Sequence, residues 1–225
     1  MGSKKTLVEF FYDVVSPYSR FAFEVLCRYK GIWNMDLKLK PVFLGGIMQA
    51  TGNQPPATNA TKASYLVTDM KHLSQYFNLS YNQPKDFWNV IVTKGTLKTQ
   101  RFITAVDMTR PEFTEQLSRE LWNRIYVEDL DATEPESLRQ AALKAGMNEN
   151  LISDALNRMT QKDVKDRLIA YTKEALDLGA FGAPYIVAHV NGKKEIFFGS
   201  DRFPVMALII GEKWQGPDPG VKSHL

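Results

Sequence analysis

The sequence predicts an α/β fold in which a small sheet, built from both ends of the chain, is interrupted by a large all-helical insertion. Three observations predict it. Near the start, two apolar strand-like runs at residues 7–12 and 37–43 flank a helical stretch at about 20–29. Near the end, a β-rich run at 185–190 is joined to a second at 195–199 by Asn191-Gly192, a strong two-residue hairpin signal. Between about residues 56 and 179, strand alternation gives way to helical periodicity with end signals. The expected division is residues 1–55 for a βαβ part, 56–178 for the helical insertion and 179–225 for a ββα part with its tail. As separate units the two end pieces would each be too small to bury a good core, so a shared sheet is the simpler organisation.

Each element has a local reason. Ser16-Pro17-Tyr18-Ser19 follows the first strand and opens the first helix. Serine as N-cap and proline at N1 make an ordinary helix start. The same residues also read as a Cys-Pro-Tyr-Cys redox motif with both sulfurs exchanged for hydroxyls. Thioredoxin-like folds place a reactive cysteine in that setting, at a helix N-terminus whose dipole favours an anion. Serine cannot exchange disulfides, but its hydroxyl can donate to a thiolate brought by a ligand. The four residues alone leave both readings open.

The insertion reads as helices over 62–76, 84–95, 101–108, 111–127, 148–159 and 162–178. A Thr133-Glu134-Pro135-Glu136 capping box opens another that ends at Gly146. A glycine-punctuated loop at 179–184 then leads through Ala183-Pro184 into the third strand. Ser200-Asp201 stand where an N-cap belongs for a last helix over 203–210, which Gly211 ends. Strand, Ser-Pro helix start, second strand, proline loop, hairpin and capped helix follow one another as in a thioredoxin-like fold, where that proline is cis.

Composition narrows the function classes. Hydrophobic content of 44% and charged content of 24% are those of a globular protein that is neither disordered nor fibrous. No apolar run is long enough to span a bilayer. A net charge of +3, with acids and bases mixed along the helices, gives no basic stripe for nucleic acid. The single cysteine, Cys27, excludes an intrachain disulfide and lies in the apolar pattern of the first helix. It is expected to be a buried small hydrophobe and not a nucleophile. His72, His189 and His224 are far apart and no Cys or His pair has zinc spacing, so no metal is expected. The terminal Ser223-His224-Leu225 is similar to a Ser-Lys-Leu peroxisomal address with histidine in the basic position.

Further blocks run along the chain: Phe11-Tyr12-Asp13-Val14, Gly52-Asn53-Gln54-Pro55-Pro56, Arg101-Phe102 and Ser118-Arg119-Glu120-Leu121-Trp122. Ala145-Gly146-Met147, Gly179-Ala180-Phe181-Gly182, Phe198-Gly199-Ser200-Asp201-Arg202 and Gly211-Glu212-Lys213-Trp214 follow. With these blocks and Ser16-Pro17-Tyr18-Ser19, the chain resembles the kappa-class glutathione transferases along essentially its whole length. The resemblance implies a thioredoxin-like domain interrupted by a helical one, a homodimer, and residence in peroxisomes or mitochondria. It implies glutathione as co-substrate without a metal, conjugation to small electrophiles, and reduction of organic hydroperoxides. Ser16 is assigned to the glutathione sulfur, with Tyr18, Asn53, Ala183, Ser200 and Asp201 along the tripeptide. Pro17, Lys62, Pro184 and Arg202 complete the expected set. Two positions depart from the family pattern: Ala183 replaces a usual leucine before the proline, and Arg20 replaces a common tryptophan after the serine pair. Alanine keeps a backbone contact and loses apolar wall. Arg20 is expected either to alter the electrophile pocket or to face solvent.

The chemistry of glutathione suits this set. Ser200, near a helix start, offers hydroxyl and N–H to the γ-glutamyl carboxylate, and Asp201 accepts from the ammonium. Ala183 exchanges backbone hydrogen bonds with the cysteinyl unit as an added strand. Asn53 and Lys62 reach toward the glycine end. A helix N-terminus and a hydroxyl donor together lower a thiol pKa from near 8.5 to roughly 6–7. No His/Asp partner stands near Ser16 in sequence to make it the nucleophile. Two rival readings stand beside the transferase. Isomerases of the 2-hydroxychromene-2-carboxylate type share the architecture and the serine, and use glutathione without consuming it. A redox-dead thioredoxin-like scaffold would bind peptides beside the proline loop and would not bind glutathione.

Overall fold

A computed structural model describes residues 4–220 of the protein. The first strand, β1 (Thr6–Tyr12), leads into helix α1 (Pro17–Tyr29), strand β2 (Met35–Pro41) and a short helix α2 (Leu44–Thr51). Six helices follow: α3 (Ala60–Tyr76), α4 (Leu97–Thr109), α5 (Thr114–Tyr126), α6 (Pro135–Lys144), α7 (Glu149–Arg158) and α8 (Lys162–Asp177). The chain then returns through β3 (Tyr185–Val190) and β4 (Lys193–Phe198) and closes with α9 (Phe203–Ile210).

The four strands form one sheet in the order β2-β1-β3-β4. β1 pairs parallel to β2, with Val8 opposite Leu37, and antiparallel to β3, with Phe10 opposite Ile186. β3 and β4 are the antiparallel hairpin expected from Asn191-Gly192; Asn191 has φ 50° and Gly192 φ 77°, the left-handed pair that such a turn requires. A parallel pair needs a crossover, and α1 supplies it.

β1 is central and covered on both sides, which is why it reads as a largely apolar run broken only by Glu9, whose carboxylate pairs with Lys40 and His189. Its side chains alternate between two cores. Val8, Phe10 and Tyr12 face α1 and the insertion, where Phe23 and Trp122 meet at 4.8 Å and Tyr12 and Trp122 at 5.4 Å. Phe11 faces the other way, against Val42 and Ile47, Ala175 of α8, and Val187. The first of these cores runs without a break from β1 through α1 into α4, α5, α6 and α7, so sheet and insertion share it. Each fully buried Phe or Leu there is worth roughly 1.5–3 kcal/mol. Cys27 is half-buried, and burial followed by the Glu115 charge pushes its thiol well above the ordinary range. It is an inert packing residue, as its place in the apolar pattern suggested.

Several local expectations are corrected. Helix α2 has no helical signature in the sequence because Gly45 and Gly46 weaken its first turn; its amide end is capped from afar, Leu44 N donating to Asp13 Oδ2 at 2.9 Å. The stretch expected as a helix over 84–95 is a turn followed by a π-helical segment, Asn89–Lys94, which Gly95 ends at φ 59°. α3 begins earlier than residue 62, after a 3₁₀ turn at Pro56–Thr58, because Asn59 caps it by accepting from Lys62 N at 3.1 Å. Thr133 does not cap α6. The carboxylate of Asp131 accepts from Thr133 N (2.7 Å) and Glu134 N (2.8 Å) instead, holding the turn from outside the helix. Ser200 and Asp201 are not the N-cap of α9 either: the cap position is Arg202, with no side-chain cap bond, and Pro204 occupies the first turn. The helix itself spans Phe203–Ile210, the range the sequence suggested; only the residue at its cap differs. Ser223-His224-Leu225 and the first three residues lie outside the described residues.

Candidate active site

A cavity of about 690 Å³ opens where the start of α1, the segment from α2 to α3, the loop before β3 and the turn after β4 converge. Its size lies within the roughly 300–1,000 Å³ that encloses small organic ligands. All ten residues expected at the site line it: Ser16, Pro17, Tyr18, Asn53, Lys62, Ala183, Pro184, Ser200, Asp201 and Arg202. They come from positions nearly 190 residues apart, brought together because β1 and β3 pair antiparallel in the sheet centre, so that β1 ends and β3 begins at this edge.

Ser16 caps α1. Its Oγ accepts from Ser19 N at 3.1 Å and donates to the carbonyl of Ala183 at 3.3 Å. The capping reading and the site reading therefore describe one hydroxyl, which is 6% exposed. The Ala183-Pro184 peptide is cis, and the Pro184 carbonyl accepts from Gly199 N at 3.2 Å, joining the proline loop to the turn after β4. Asn53 braces the same loop: its Nδ2 donates to the Phe181 carbonyl at 2.7 Å while its Oδ1 accepts from Gln54 N at 2.8 Å.

Gly199 has φ 100°, and a Cβ there would lie 2.8 Å from Asp201 Oδ1. Only glycine lets the Asp201 carboxylate close on this turn. Ser200 is buried, whereas Asp201 and Arg202 are exposed at the rim with 3.6 Å between their charges. Lys62 is exposed on the first turn of α3 and also lines the cavity.

Tyr18 donates its hydroxyl to Asp69 Oδ2 at 2.6 Å. Burial, and then the Asp69 carboxylate, push its ionisation well above the ordinary tyrosine range, so it remains a neutral phenol at any working pH. Asp69 was not among the expected residues. The available signal is its spacing from Tyr65, one turn earlier on the same face of α3. The apolar wall was also missed: Leu44 and Met48 from α2, Leu66 and Leu73 from α3, and Phe87. Nothing in the sequence separates these residues from ordinary core, and only their placement beside Ser16 distinguishes them.

Arg20 does neither of the things expected of it. It is 4% exposed and does not line the cavity. Its guanidinium enters the helical insertion, donating to the Ser80 carbonyl at 2.7 Å and to Asn123 Oδ1 at 2.9 Å. Burial lowers its pKa, and those two acceptors offset part of the desolvation while its Nε is left without a hydrogen-bond partner among the described residues.

Beneath the loop lies Asp13, fully buried. Its carboxylate accepts from Val15 N (3.0 Å), Leu44 N (2.9 Å) and the Thr96 hydroxyl (2.6 Å). Burial raises its pKa to about 6 against the pull of those three donors. At neutral pH it is an ionised knot tying the Ser16 loop, α2 and α4 together.

The arrangement places a hydroxyl donor at a helix N-terminus beside a strand-like proline loop. Lys62 and Arg202 add cations, Asp69 and Asp201 carboxylates, and an apolar wall completes the cavity. It suits a small zwitterionic ligand carrying an anionic atom to Ser16, with space left for an apolar second molecule. Comparison with known proteins agrees. A family model described as a DSBA-like thioredoxin domain matches residues 7–211. Glutathione S-transferase kappa 1 of Rattus norvegicus is 48% identical over 219 residues, covering 97% of each chain. The protein of the same name from Homo sapiens is 45% identical over 226 residues, covering 100% of each. Among solved structures, a 2-hydroxychromene-2-carboxylate isomerase superposes with a TM-score of 0.75 at 17% identity, covering 91% of this chain and 94% of that one, a likeness of fold. The chain belongs to the kappa-class glutathione transferase family, on a DSBA-like thioredoxin fold with a helical insertion.

Proposed function

We propose that this protein is a glutathione transferase that holds the glutathione sulfur as a thiolate at Ser16 and delivers it to small electrophiles. The observation that carries the reading is the single cavity in which the α1-capping hydroxyl meets the Ala183-Pro184 loop and the charged groups of Lys62, Asp201 and Arg202. Glutathione has two carboxylates, one ammonium and one thiol, and this lining offers a partner to each. Ser200 and the turn before α9 serve the γ-glutamyl end, with Asp201 accepting from its ammonium. Asn53 and Lys62 serve the glycine end. Ala183 exchanges backbone hydrogen bonds with the cysteinyl unit.

The thiol releases its proton to solvent, and Ser16 turns its O–H from the Ala183 carbonyl to the sulfur anion. Ser19 N donates to Ser16 Oγ throughout, which strengthens the hydroxyl as a donor. The thiolate then forms a bond to an electrophilic carbon seated against the apolar wall, while the leaving group departs with its electron pair. Ser16 stays uncharged and is never the nucleophile. The same thiolate can attack the O–O bond of an organic hydroperoxide; a second glutathione then releases glutathione disulfide, so that the peroxide becomes alcohol and water.

A homodimer accompanies this reading. Val205, Leu208 and Ile209 of α9 and Ile196 of β4 are exposed apolar side chains that offer a face for it. The C-terminal Ser223-His224-Leu225 supports a peroxisomal address, alone or beside a mitochondrial one.

Calorimetry with glutathione and ultraviolet titration of the bound thiolate test the proposal. Binding with a thiol pKa of roughly 6–7 is expected. A protein that ignores glutathione is a scaffold. One that binds it but converts substrate without consuming it stoichiometrically is an isomerase.

A further inference from the structure

The helical insertion takes up the polar groups of the loop that carries Ser16. Gln100 donates Nε2 to the carbonyls of Tyr12 (2.9 Å) and Val42 (2.8 Å), and its Oε1 accepts from Val14 N at 3.4 Å. The Tyr126 hydroxyl donates to the Val15 carbonyl, and Trp122 Nε1 donates to the Ser16 carbonyl at 3.2 Å. Gln100, Trp122 and Tyr126 are fully buried, and none lines the cavity.

Trp122 and Tyr126 stand one turn apart on α5, so their polar tips reach two consecutive carbonyls. Ser16 O is already the acceptor of the first helical bond of α1, from Arg20 N at 3.3 Å. The indole therefore adds a second donor that fixes the direction of this carbonyl. Both oxygens are drawn into the insertion, which leaves the donor side of the loop, the Ser16 hydroxyl at the amino end of α1, to the cavity. Carbonyl oxygens swung toward the cavity would place partial negative charge beside a sulfur anion and undo what the hydroxyl supplies.

We propose that Trp122 and Tyr126 are positioning residues for thiolate formation: they hold the Val15 and Ser16 carbonyls off the sulfur and aim the Ser16 hydroxyl at it. The inference rests on the glutathione reading of Ser16 and names two groups, remote from the ligand, on which that reading depends. Neither touches the tripeptide, so the loss of either moves the ionisation of the sulfur and not the grip on the peptide ends.

The test is Tyr126→Phe in the full-length protein, which removes one hydroxyl and keeps the ring stacked on Tyr81 at 5.4 Å. Trp122→Phe is the second variant, and either one decides. With an aryl halide as electrophile at pH 6.5, kcat is expected to fall about 3–10-fold while KM for glutathione stays within about twofold. The bound thiol, titrated by its ultraviolet absorbance, is expected to rise in pKa by about half a unit to one unit. Activity then returns toward wild type near pH 9. A variant with lower thermal stability but an unchanged thiol titration and pH profile overturns the proposal and leaves the Ser16 reading intact. Wild-type protein that binds glutathione without lowering its thiol pKa overturns both.

Discussion

Ser16 holds two hydrogen bonds at once, accepting from Ser19 N and donating to Ala183 O, so its oxygen is fixed in place and only its proton has to turn toward a ligand. Ser16→Ala removes the donor and leaves the cavity shape nearly unchanged. Glutathione affinity is expected to stay within a few-fold, while the conjugation rate near neutral pH falls about 10–100-fold. That matches the roughly 1.5–3 kcal/mol of a hydrogen bond to a charged group. An unchanged thiolate titration in this variant would remove Ser16 from its role.

Asp13 is the second residue on which the loop depends. Asparagine at that position presents an N–H₂ toward donors and cannot satisfy all three, so Asp13→Asn is expected to cost about 1–3 kcal/mol at pH 7 in urea unfolding. The sign of its pH dependence is unusual for an acid. Its folded pKa, about 6, lies above the ordinary value near 4, so the folded state holds this proton more tightly than the unfolded chain. Its contribution is therefore best at low pH and declines as pH rises from about 4 to 6. Wild type should gain stability relative to Asp13→Asn across that window on acidification; a difference independent of pH would contradict it.

Where the elements meet, turns and caps set the geometry. The turn from β4 into α9 relies on Gly199, whose φ of 100° and close approach to Asp201 exclude a side chain. Gly199→Ala is expected to cost about 1–2 kcal/mol in stability. It should also raise KM for glutathione several-fold by displacing Asp201, with the bound-thiol titration little changed. Isothermal titration and ultraviolet titration together separate the two effects, and a shifted thiol with intact affinity would reverse the assignment. Helix ends also show how local signals are overridden. Thr133 lost its capping role to Asp131, which burial pushes up but Lys94 and two backbone amides bring down to about 2. A carboxylate held that low stays charged through the working range and outcompetes a hydroxyl as acceptor. Asn59 and Asn148, by contrast, cap α3 and α7 through their own third residues, a bond that only local sequence is needed to make.

The whole molecule is joined by the core that sheet and insertion share. Tyr12 of β1 donates to or accepts from Ser118 of α5 at 2.7 Å, and Arg20 of α1 reaches Ser80 and Asn123. A chain so connected is expected to unfold in one transition, with far-ultraviolet circular dichroism and tryptophan fluorescence coincident. Two separated transitions would mean that the insertion folds independently of the sheet. Saturating glutathione at about 100 times its Kd should add about 2.7 kcal/mol to that single transition.

Short-range physics wrote much of this fold into the sequence. The hairpin at Asn191-Gly192, the helix start at Ser16-Pro17, the stop at Gly211 and the two-sided β1 run each follow from residues within a few positions of one another. The ten residues expected at the site were legible through motif order and family resemblance, and they do line one cavity. What tertiary structure alone decided involves atoms distant along the chain. Asp13 starts α2 from 31 residues away, Arg20 is buried among carbonyl and amide acceptors 60 and 103 residues away, and Trp122 and Tyr126 bind the Ser16 loop across 106 and 111. A buried polar group must find a partner wherever the fold offers one, and the identity of that partner is set by packing in space, which no local pattern encodes.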